Sequence, residues 1–422
     1  MNTKAKLIGL YLLQFGIWGS YLTSQGRYLS QCGLGDRIGL FFAAQGIVSL
    51  FMPALIGYAA DRLVSAKKLL VFCHICSAMA LLSLGLYGQT AGTSAAFAPM
   101  ITLYFMAMVF YFPTLALSNA VSYATLEQDG KDPAKDFPAI RMWGTAGFIL
   151  AMWGVDLIGW QSSALQYVMA AGLGLVQALY VGCLIQTPVR PPHAQPFSRQ
   201  ALQLLRRKEM ALFFALSLLL GMALQVSNGF ANPFIADFGH MDAFRNTFGV
   251  RHANILISLS QISELFCVLL VPFFLRRFGI KTVLLMALAA WALRFGFFAT
   301  GNPGPGAWLL VMSMVIYGIA FNFFNIAGSL YVNQQADPSI RASAQGLFML
   351  FTNGFGATIG SFVAQKVINH YVNVCKTGIA AGAIDWPRVM HGWQVSWTIF
   401  AVYVLAVAIA FAVLFPSRHT TA

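Results

Sequence analysis

The chain has 422 residues, of which 58% are hydrophobic and only 9% are charged. Soluble domains average about a quarter charged residues, and a deficit of this size is incompatible with a surface that faces water. The composition therefore excludes a cytosolic enzyme, a nucleic-acid-binding module and a disordered chain, and it predicts a polytopic membrane protein. The net charge of +13 does not indicate a nucleic-acid partner, because the basic residues lie in short loops between apolar segments.

Long apolar segments follow one another along the whole chain. A helix that spans a bilayer needs about 20 predominantly apolar residues, and the alternating pattern of β-barrel strands is absent from the sequence. The predicted spans are 6–28, 38–60, 68–88, 97–124, 139–160, 164–186, 209–236, 251–275, 280–300, 306–333, 342–371 and 392–415. These spans predict an all-α membrane protein with twelve transmembrane helices in two six-helix bundles.

The segment between the sixth and seventh spans is typical of a linker between domains. Four prolines occur between Thr187 and Ser198 and forbid a continuous helix there. We therefore expect an N-terminal bundle at 1–187, a cytoplasmic linker at 188–208 and a C-terminal bundle at 209–422.

The distribution of Lys and Arg predicts the orientation of the chain. When both termini are placed in the cytoplasm, most of the basic residues fall in cytoplasmic loops, as the positive-inside rule requires. Contact with an anionic inner leaflet then explains the basic net charge. The first apolar segment follows MNTKAK and lacks a small-residue cleavage site, so we expect a retained span and not a removed signal peptide.

The six cysteines are scattered and form no disulfide framework. Cys73 and Cys76 flank His74 inside an apolar helix, where the surrounding turns leave no fourth ligand for a metal ion. The sequence also shows no nucleophile–base pair. We therefore expect no metal, no cofactor and no covalent chemistry, which excludes an intramembrane enzyme.

Glu264 is the clearest polar residue that a membrane span does not explain. A charged side chain inside a span is costly and is a functional candidate by default. Gln261 lies one turn earlier on the same helix face. Glu264 is therefore a candidate proton carrier facing a central cavity, and the alternative is a structural partner for Arg294 or Arg141.

A second candidate group opens the fifth span. Arg141, Thr145 and Phe148 occur at i, i+4 and i+7 and form one stripe of a helix. A cation, a hydroxyl and an aromatic ring in line can serve a polar planar ligand. The alternative is a cytoplasmic gate between Arg141 and either Asp136 or Glu127.

Amides and aromatic rings recur in the seventh and tenth spans. Gln225 and Asn228 lie three residues apart on one face, and amides both donate and accept hydrogen bonds. Tyr317 and Phe321 share a face of the tenth span, and Asn322 points about 100° away from Phe321. The alternatives are hydrogen bonding between helices for the amides and simple packing for the rings.

These groups are rich in amides and aromatic rings and poor in charge. Gln14, Trp18 and Tyr21 repeat the pattern in the first span, as do Asn119 and Tyr123 in the fourth. Such a cavity suits a flat, neutral ligand with many hydrogen-bonding groups. The pattern does not separate a sugar from a nucleoside, but it argues against an anionic substrate.

The motifs resemble those of known transporters. GYAADRLVSAKK, after the second span, resembles the loop signature of the major facilitator superfamily. QFGIWGSYLT, FPTLALSNAVSYA and FPAIRMWGTAGFILAMW in the first half, and LQVSN, SQISE, FNFFNIAGS and IRASAQG in the second, resemble the nucleoside–proton symporters of bacteria. The resemblance covers nearly the whole chain.

The resemblance implies uptake of a nucleoside, such as uridine or adenosine, driven by protons across a bacterial inner membrane through rocking of the two bundles. It implies that the substrate-binding residues are Arg141, Thr145, Phe148, Gln225, Asn228, Gln261, Glu264, Tyr317 and Phe321. The family carries an aspartate, implicated in proton coupling, at the position of Asn322. Because an amide cannot titrate, either Glu264 carries the proton alone or the chain is an uncoupled form.

Two other functions are compatible with the residues. One is a sugar or drug carrier of the same superfamily, and the other is a membrane receptor that binds nucleosides without moving them. In each case we expect a monomer that contacts membrane lipids and binds no nucleic acid.

Overall fold

A computed structural model describes residues 2–62, 64–185, 199–337, 340–379 and 381–415, and the regular secondary structure of these residues is helical. The α-helices are α1 (Thr3–Gly19), α2 (Gln25–Gln31), α3 (Ile38–Arg62), α4 (Ala66–Ala91), α5 (Phe97–Gln128), α6 (Pro133–Leu157), α7 (Leu165–Leu184), α8 (Lys208–Asp237), α9 (Phe248–Arg251), α10 (Ala253–Thr300), α11 (Ala307–Gln335), α12 (Arg341–Met349), α13 (Ala357–Tyr371) and α14 (Trp386–Leu414). A π-helical segment, Leu350–Gly356, joins α12 to α13. The prediction of an all-helical protein is confirmed.

Within the described residues, 8 helical segments are long and apolar enough to cross a membrane. They are Ala66–Ser94, Phe97–Gln128, Leu165–Leu184, Lys208–His240, Ala253–Thr300, Ala307–Gln335, Ser343–Cys375 and Trp386–Leu414. The predicted spans 6–28, 38–60 and 139–160 coincide with helices outside this set.

The first predicted span differs from the observed helices for a local reason. It is interrupted, because α1 ends at Gly19 and the chain turns before α2 begins. At this turn the Ser20 hydroxyl donates to the Gly16 carbonyl oxygen at 2.8 Å, a local bond that competes with regular helix geometry. The 48 residues of α10 contain Gly279 at a φ of 73°, where the absence of a side chain permits a sharp turn. The predicted spans 251–275 and 280–300 therefore form the two halves of α10.

The chain divides into two compact units. The first comprises Met1–Gly35 and Ile47–Gln195, and the second comprises Asp36–Gly46 and Pro196–Ala422. Most of the predicted linker, together with the side chains of the GYAADR segment, lies outside the described residues, so the sequence-based boundaries stay a prediction.

The start of α3 belongs to the second unit. The Gly39 N–H donates to Gln365 Oε1 at 2.5 Å, and Asn369 Nδ2 donates to the Asp36 carbonyl oxygen at 3.0 Å. The two bonds join the start of α3 and the turn just before it to α13. One boundary between the units therefore falls inside α3, and another falls in the predicted linker.

In the first unit, glycines bring α1 and α6 into close contact. A Cβ atom at Gly147 would fall 2.7 Å from the Leu12 carbonyl carbon, and one at Gly19 would fall 2.8 Å from Phe148 Cα. Small residues permit this approach of two backbones. The packing holds the α6 stripe of Arg141, Thr145 and Phe148 against α1.

In the second unit, a glycine sets the contact between α10 and α11. A Cβ atom at Gly318 would fall 2.5 Å from both the carbonyl oxygen and the hydroxyl oxygen of Ser263. The Ser263 hydroxyl also donates to the Val315 carbonyl oxygen. Because Glu264 follows Ser263 directly, this contact fixes its position relative to α11.

Gln14 lies at the centre of a buried polar network that joins α1, α4 and α5. Its Nε2 donates to Thr114 Oγ1 at 2.8 Å, and its Oε1 lies 3.0 Å from both His74 Nε2 and Ser118 Oγ. Gln14 and His74 are almost fully buried. The Gln14 amide thus takes part in packing within the first unit.

Within the described residues, no group of three or more His, Cys, Asp or Glu side chains is placed to hold a metal ion.

Candidate substrate site

Arg141 lies on α6 with its guanidinium over the aromatic face of α1. Its Cζ atom is 3.9 Å from the ring centroid of Phe15 and 5.7 Å from that of Tyr11. An arginine over an aromatic face is attracted by the ring quadrupole. The side chain is half-buried, so the cation is held in place by the rings while part of it stays accessible.

The end of the first unit where α1 begins carries a separate set of ion pairs. Lys4 Nζ lies 2.6 Å from Asp136 Oδ1, so Asp136, proposed from sequence as a gate partner of Arg141, is bonded to α1. Lys131 pairs with Asp129, and its hydrogen bond, together with one from Thr3, holds the pKa of the Asp129 carboxyl below its ordinary value. These contacts join α1 to the start of α6 and to the connection between α5 and α6.

Thr145 and Phe148 continue the stripe one and two turns beyond Arg141. Thr145 is half-buried, whereas Phe148 is buried and packs edge-to-face against Trp18, with the ring centroids 6.3 Å apart. The Trp18 indole N–H is buried and has no acceptor among the described residues. Trp18, noted in the sequence only as part of a stripe, thus offers an unused donor beside Phe148.

Within the described residues of the second unit, three amide oxygens are buried without a hydrogen-bond donor, namely Gln225 Oε1 and Asn232 Oδ1 on α8 and Gln261 Oε1 on α10. Asn232 is fully buried, whereas Gln225 and Gln261 are half-buried, as is Asn228 one turn after Gln225. A buried acceptor without a donor is unfavourable by the free energy of its desolvation, so a ligand that brings N–H or O–H groups would find the oxygens of the two half-buried glutamines in place.

Glu264 and Asn322 lie in direct contact across α10 and α11. Asn322 Nδ2 donates to the backbone carbonyl oxygen of Glu264 at 2.6 Å, and Asn322 is only 6% exposed. The Glu264 side chain is half-buried. The amide of Asn322 therefore fixes the main chain that carries the Glu264 carboxyl group.

Tyr317 and Phe321 form a stacked pair on one face of α11. Their ring centroids are 5.5 Å apart with an angle of 13° between the planes, and Tyr317 packs edge-to-face against Trp291 at 5.8 Å. Tyr317 is buried, whereas Phe321 is half-buried. Phe321 therefore keeps ring surface available, supported from one side by a fixed neighbour.

Arg294 adds a cation to this part of the second unit. It is 2% exposed, and its Nη1 donates to the Ser313 carbonyl oxygen at 2.5 Å and to Ser260 Oγ at 3.3 Å. Its Cζ atom lies 4.7 Å from the Tyr317 ring centroid. The sequence singled out Arg294 only as a possible partner of Glu264, and its contact with Tyr317 depends on packing that the sequence does not show.

The sequence-predicted substrate-binding residues therefore fall on four helices. Three of them lie on α6 in the first unit, and six lie on α8, α10 and α11 in the second. The structure brings Tyr317 into contact with Phe321 and Asn322 into contact with Glu264. Within the described residues, no hydrogen bond joins Gln225, Asn228 or Gln261 to another member of this group.

Several long apolar helices and a small set of half-buried polar side chains define a multi-pass membrane protein. A family model described as "Nucleoside H+ symporter" matches residues 1–420. The chain is 41% identical to the nucleoside permease NupG of Escherichia coli (strain K12) over 427 residues, covering 99% of this chain and 97% of that permease. It is 39% identical to the xanthosine permease of the same organism, over 99% of this chain and 97% of that protein.

Solved structures give the same result. A crystal structure of the nucleoside transporter NupG superposes with a TM-score of 0.88 at 41% identity, covering 99% of this chain and 100% of that chain. The chain belongs to the nucleoside H+ symporter family, and the resemblance seen in its motifs is confirmed. The relatives found are transporters and not enzymes.

Proposed function

We propose that this chain is a secondary active transporter that takes up nucleosides across the bacterial inner membrane, coupled to protons through Glu264. Membership of the nucleoside H+ symporter family supports both the substrate class and the coupling ion. The proposal includes twelve spans in two six-helix bundles, cytoplasmic termini, a monomeric protein and alternating access. The sharp turn at Gly279, which makes two antiparallel spans of α10, supports the larger number of spans.

The observation that carries the proposal is the combination of stacked rings and unpartnered amide oxygens in the second unit. Phe321 presents ring surface backed by Tyr317, and base stacking on such a ring is worth about 1–3 kcal/mol. Gln225 and Gln261 each hold a buried amide oxygen that lacks a donor among the described residues. A nucleoside has a flat base for the ring, and ribose hydroxyls and base N–H groups for the oxygens.

The remaining predicted residues receive matching roles. We assign Asn228 and Glu264 to the ribose hydroxyls and the base edge, since an amide and a carboxylate both accept from these groups. We assign Arg141, Thr145 and Phe148 to substrate contacts from the first unit. The half-burial of Arg141 and Thr145 supports this assignment. Because Phe148 is buried against Trp18, we assign it the weakest substrate contact of the three.

Glu264 is the group to which we assign the proton. The neighbouring Asn322 donates to the Glu264 main chain and cannot titrate. Of these two side chains, only the Glu264 carboxyl group can take up or release a proton. Transport of one proton down 100 mV supplies about 2.3 kcal/mol. At about 1.4 kcal/mol per decade, that free energy supports roughly fortyfold accumulation. An uncoupled form would only equilibrate the nucleoside.

Uptake into proteoliposomes tests the proposed substrate. Labelled uridine or adenosine is followed with and without an imposed pH gradient, and unlabelled glucose and lactose serve as competitors. We expect saturable uptake that only nucleosides block. Competition by the sugars would favour a sugar carrier instead, and binding without internalisation would favour a receptor.

The variant Glu264→Gln tests the proposed coupling, with Asp242→Asn as its control. Asp242 lies exposed in the connection between α8 and α9, so its neutralisation removes one carboxyl group outside α10 and α11. We expect Glu264→Gln to abolish accumulation driven by the pH gradient and Asp242→Asn to preserve it. Full accumulation by Glu264→Gln would remove the assignment of the proton to Glu264.

A further inference from the structure

Arg294 lies deep in the apolar part of the second half of α10. Glu264 precedes Gly279 by fifteen residues and Arg294 follows it by fifteen. At 1.5 Å per residue, both lie about 22 Å from the turn and thus at the same level of the helical hairpin. Arg294 is 2% exposed, so this cation sits beside the level of the substrate site without reaching solvent.

The hydrogen bonds of Arg294 do not neutralise its buried charge. The hydrogen-bond partners of its Nη1 in the described part of the chain are neutral, namely Ser260, Ser313 and the sulfur of Met314, and its Nε has no acceptor. A charged residue in a membrane span is costly, and an apolar residue would serve packing better. The cation is therefore expected to have a functional role.

The planar guanidinium packs on a ring that itself supports another ring. The Arg294 Cζ atom is 4.7 Å from the Tyr317 ring centroid, and the Tyr317 ring lies nearly parallel to that of Phe321, with 13° between the planes. Ser313 and Ser260 hold the guanidinium from the side. We call Arg294, Tyr317 and Phe321 the Arg–Tyr–Phe stack.

We propose that Arg294 is a positioning residue for the substrate site, which fixes the plane of the Tyr317 ring and, through it, the ring of Phe321 that stacks on the base. The inference rests on the proposed function, because it requires that Phe321 contact a nucleoside. A desolvated cation–π contact is strong and directional, so it restricts the tilt of Tyr317 more than an aliphatic neighbour would. Pre-ordering of Phe321 then improves affinity by reducing the entropy lost on binding.

The inference predicts energetic coupling between Arg294 and Phe321. A double-mutant cycle with Arg294→Met and Phe321→Ala measures it, with the dissociation constant for uridine determined by calorimetry on the purified full-length protein. We expect each single variant to weaken binding by about tenfold. The double variant should be little weaker than Phe321→Ala alone, because Arg294 acts through the ring that has been removed.

Arg277→Met is the matched control, since Arg277 is an exposed arginine near the Phe278 ring and undergoes the same substitution. Arg294→Lys is a second test variant in case Arg294→Met does not fold, because it keeps the charge and removes only the planar group. We expect Arg294→Lys to show the same non-additivity with Phe321→Ala, and Arg277→Met to bind as the parent protein does.

The outcomes separate the two proposals. The positioning role alone would be overturned if the parent protein binds uridine and the losses in the cycle are additive. It would also be overturned if the parent protein binds uridine and both Arg294 variants bind it with unchanged affinity. A parent protein without saturable uridine binding would overturn the proposed function, and the positioning role with it.

Discussion

Asn322 Nδ2 donates a hydrogen bond of 2.6 Å to the backbone carbonyl oxygen of Glu264. The bond joins α11 to α10 at the residue that we assign to the proton. Only a donor can make it, and an ionised carboxylate has none. The amide at this position therefore keeps the contact in place at every pH.

The variant Asn322→Asp should make transport more dependent on pH. A protonated aspartic acid can donate to the Glu264 carbonyl oxygen, whereas the ionised form places a negative charge against that oxygen and near the Glu264 carboxyl group. We expect the uptake rate of this variant to fall as pH rises from mildly acidic to mildly alkaline, more steeply than that of the parent protein. Initial rates of labelled uridine uptake, measured with equal pH on both sides, give the comparison.

Asn322→Ala is the control for this prediction, since it removes the bond without adding a titratable group. Loss of one hydrogen bond, worth about 1 kcal/mol, should lower the rate by about fivefold at all pH values. Superimposable pH profiles for Asn322→Asp and the parent protein would contradict the argument.

Removal of the Phe321 ring should weaken nucleoside binding. Phe321 is half-buried and stacked on Tyr317, so its free surface is available to a base. We expect Phe321→Ala to raise the dissociation constant for uridine by about tenfold or more. Phe321→Tyr keeps the ring and should bind within a few-fold of the parent protein, and equal affinity in the alanine variant would exclude a stacking role.

The sequence predicted those features of the site that depend on one helix alone. The spacing of Tyr317 and Phe321 placed both rings on one face, and the structure shows them stacked. The contact between Asn322 and Glu264 was not predictable, because it depends on how closely α11 approaches α10 at Gly318. Helical periodicity determines neighbours within a helix but not the register between helices.

The fold shows the same division. Hydropathy located the long apolar helices, and the sharp turn at Gly279 separates the two spans predicted at 251–275 and 280–300. Gln14 belonged to a predicted polar stripe, and the structure places it in a buried network with His74 and Thr114. Three helices contribute to that network, so no single helical pattern contained the information.

Substitution of Gly147 should destabilise the first unit. A Cβ atom there would collide with the main chain of Leu12, which cannot rotate away as a side chain can. We expect Gly147→Ala to cost about 1–3 kcal/mol through overpacking and to lower the melting temperature in detergent.

Gly172→Ala is the matched control for this prediction. Gly172 lies exposed on α7, and a Cβ atom there would meet nothing within 4 Å. The alanine should leave stability unchanged or raise it by about 0.4–1 kcal/mol. Equal melting temperatures for the two alanine variants would show that α1 and α6 are not held by close backbone contact.

A further prediction concerns Asp237, which closes the end of α8. One carboxylate oxygen accepts a hydrogen bond from Trp393 Nε1 at 2.7 Å and also pairs with Lys376. Asp237 is 6% exposed, so both contacts are largely shielded from water. The residue thereby joins α8 to α14 and to the connection that precedes α14.

Two substitutions separate the charge of Asp237 from its role as an acceptor. Asp237→Asn keeps an oxygen for Trp393 and removes the ion pair, whereas Asp237→Ala leaves both donors without a partner. Because an unsatisfied buried donor costs about 1–3 kcal/mol, we expect the alanine variant to be the less stable of the two in thermal unfolding. Lys376→Met completes a double-mutant cycle, and its loss should not add to that of Asp237→Asn, since both remove the same ion pair. Additive losses would mean that Lys376 and Asp237 stabilise the protein independently, and the ion pair would then contribute nothing to stability.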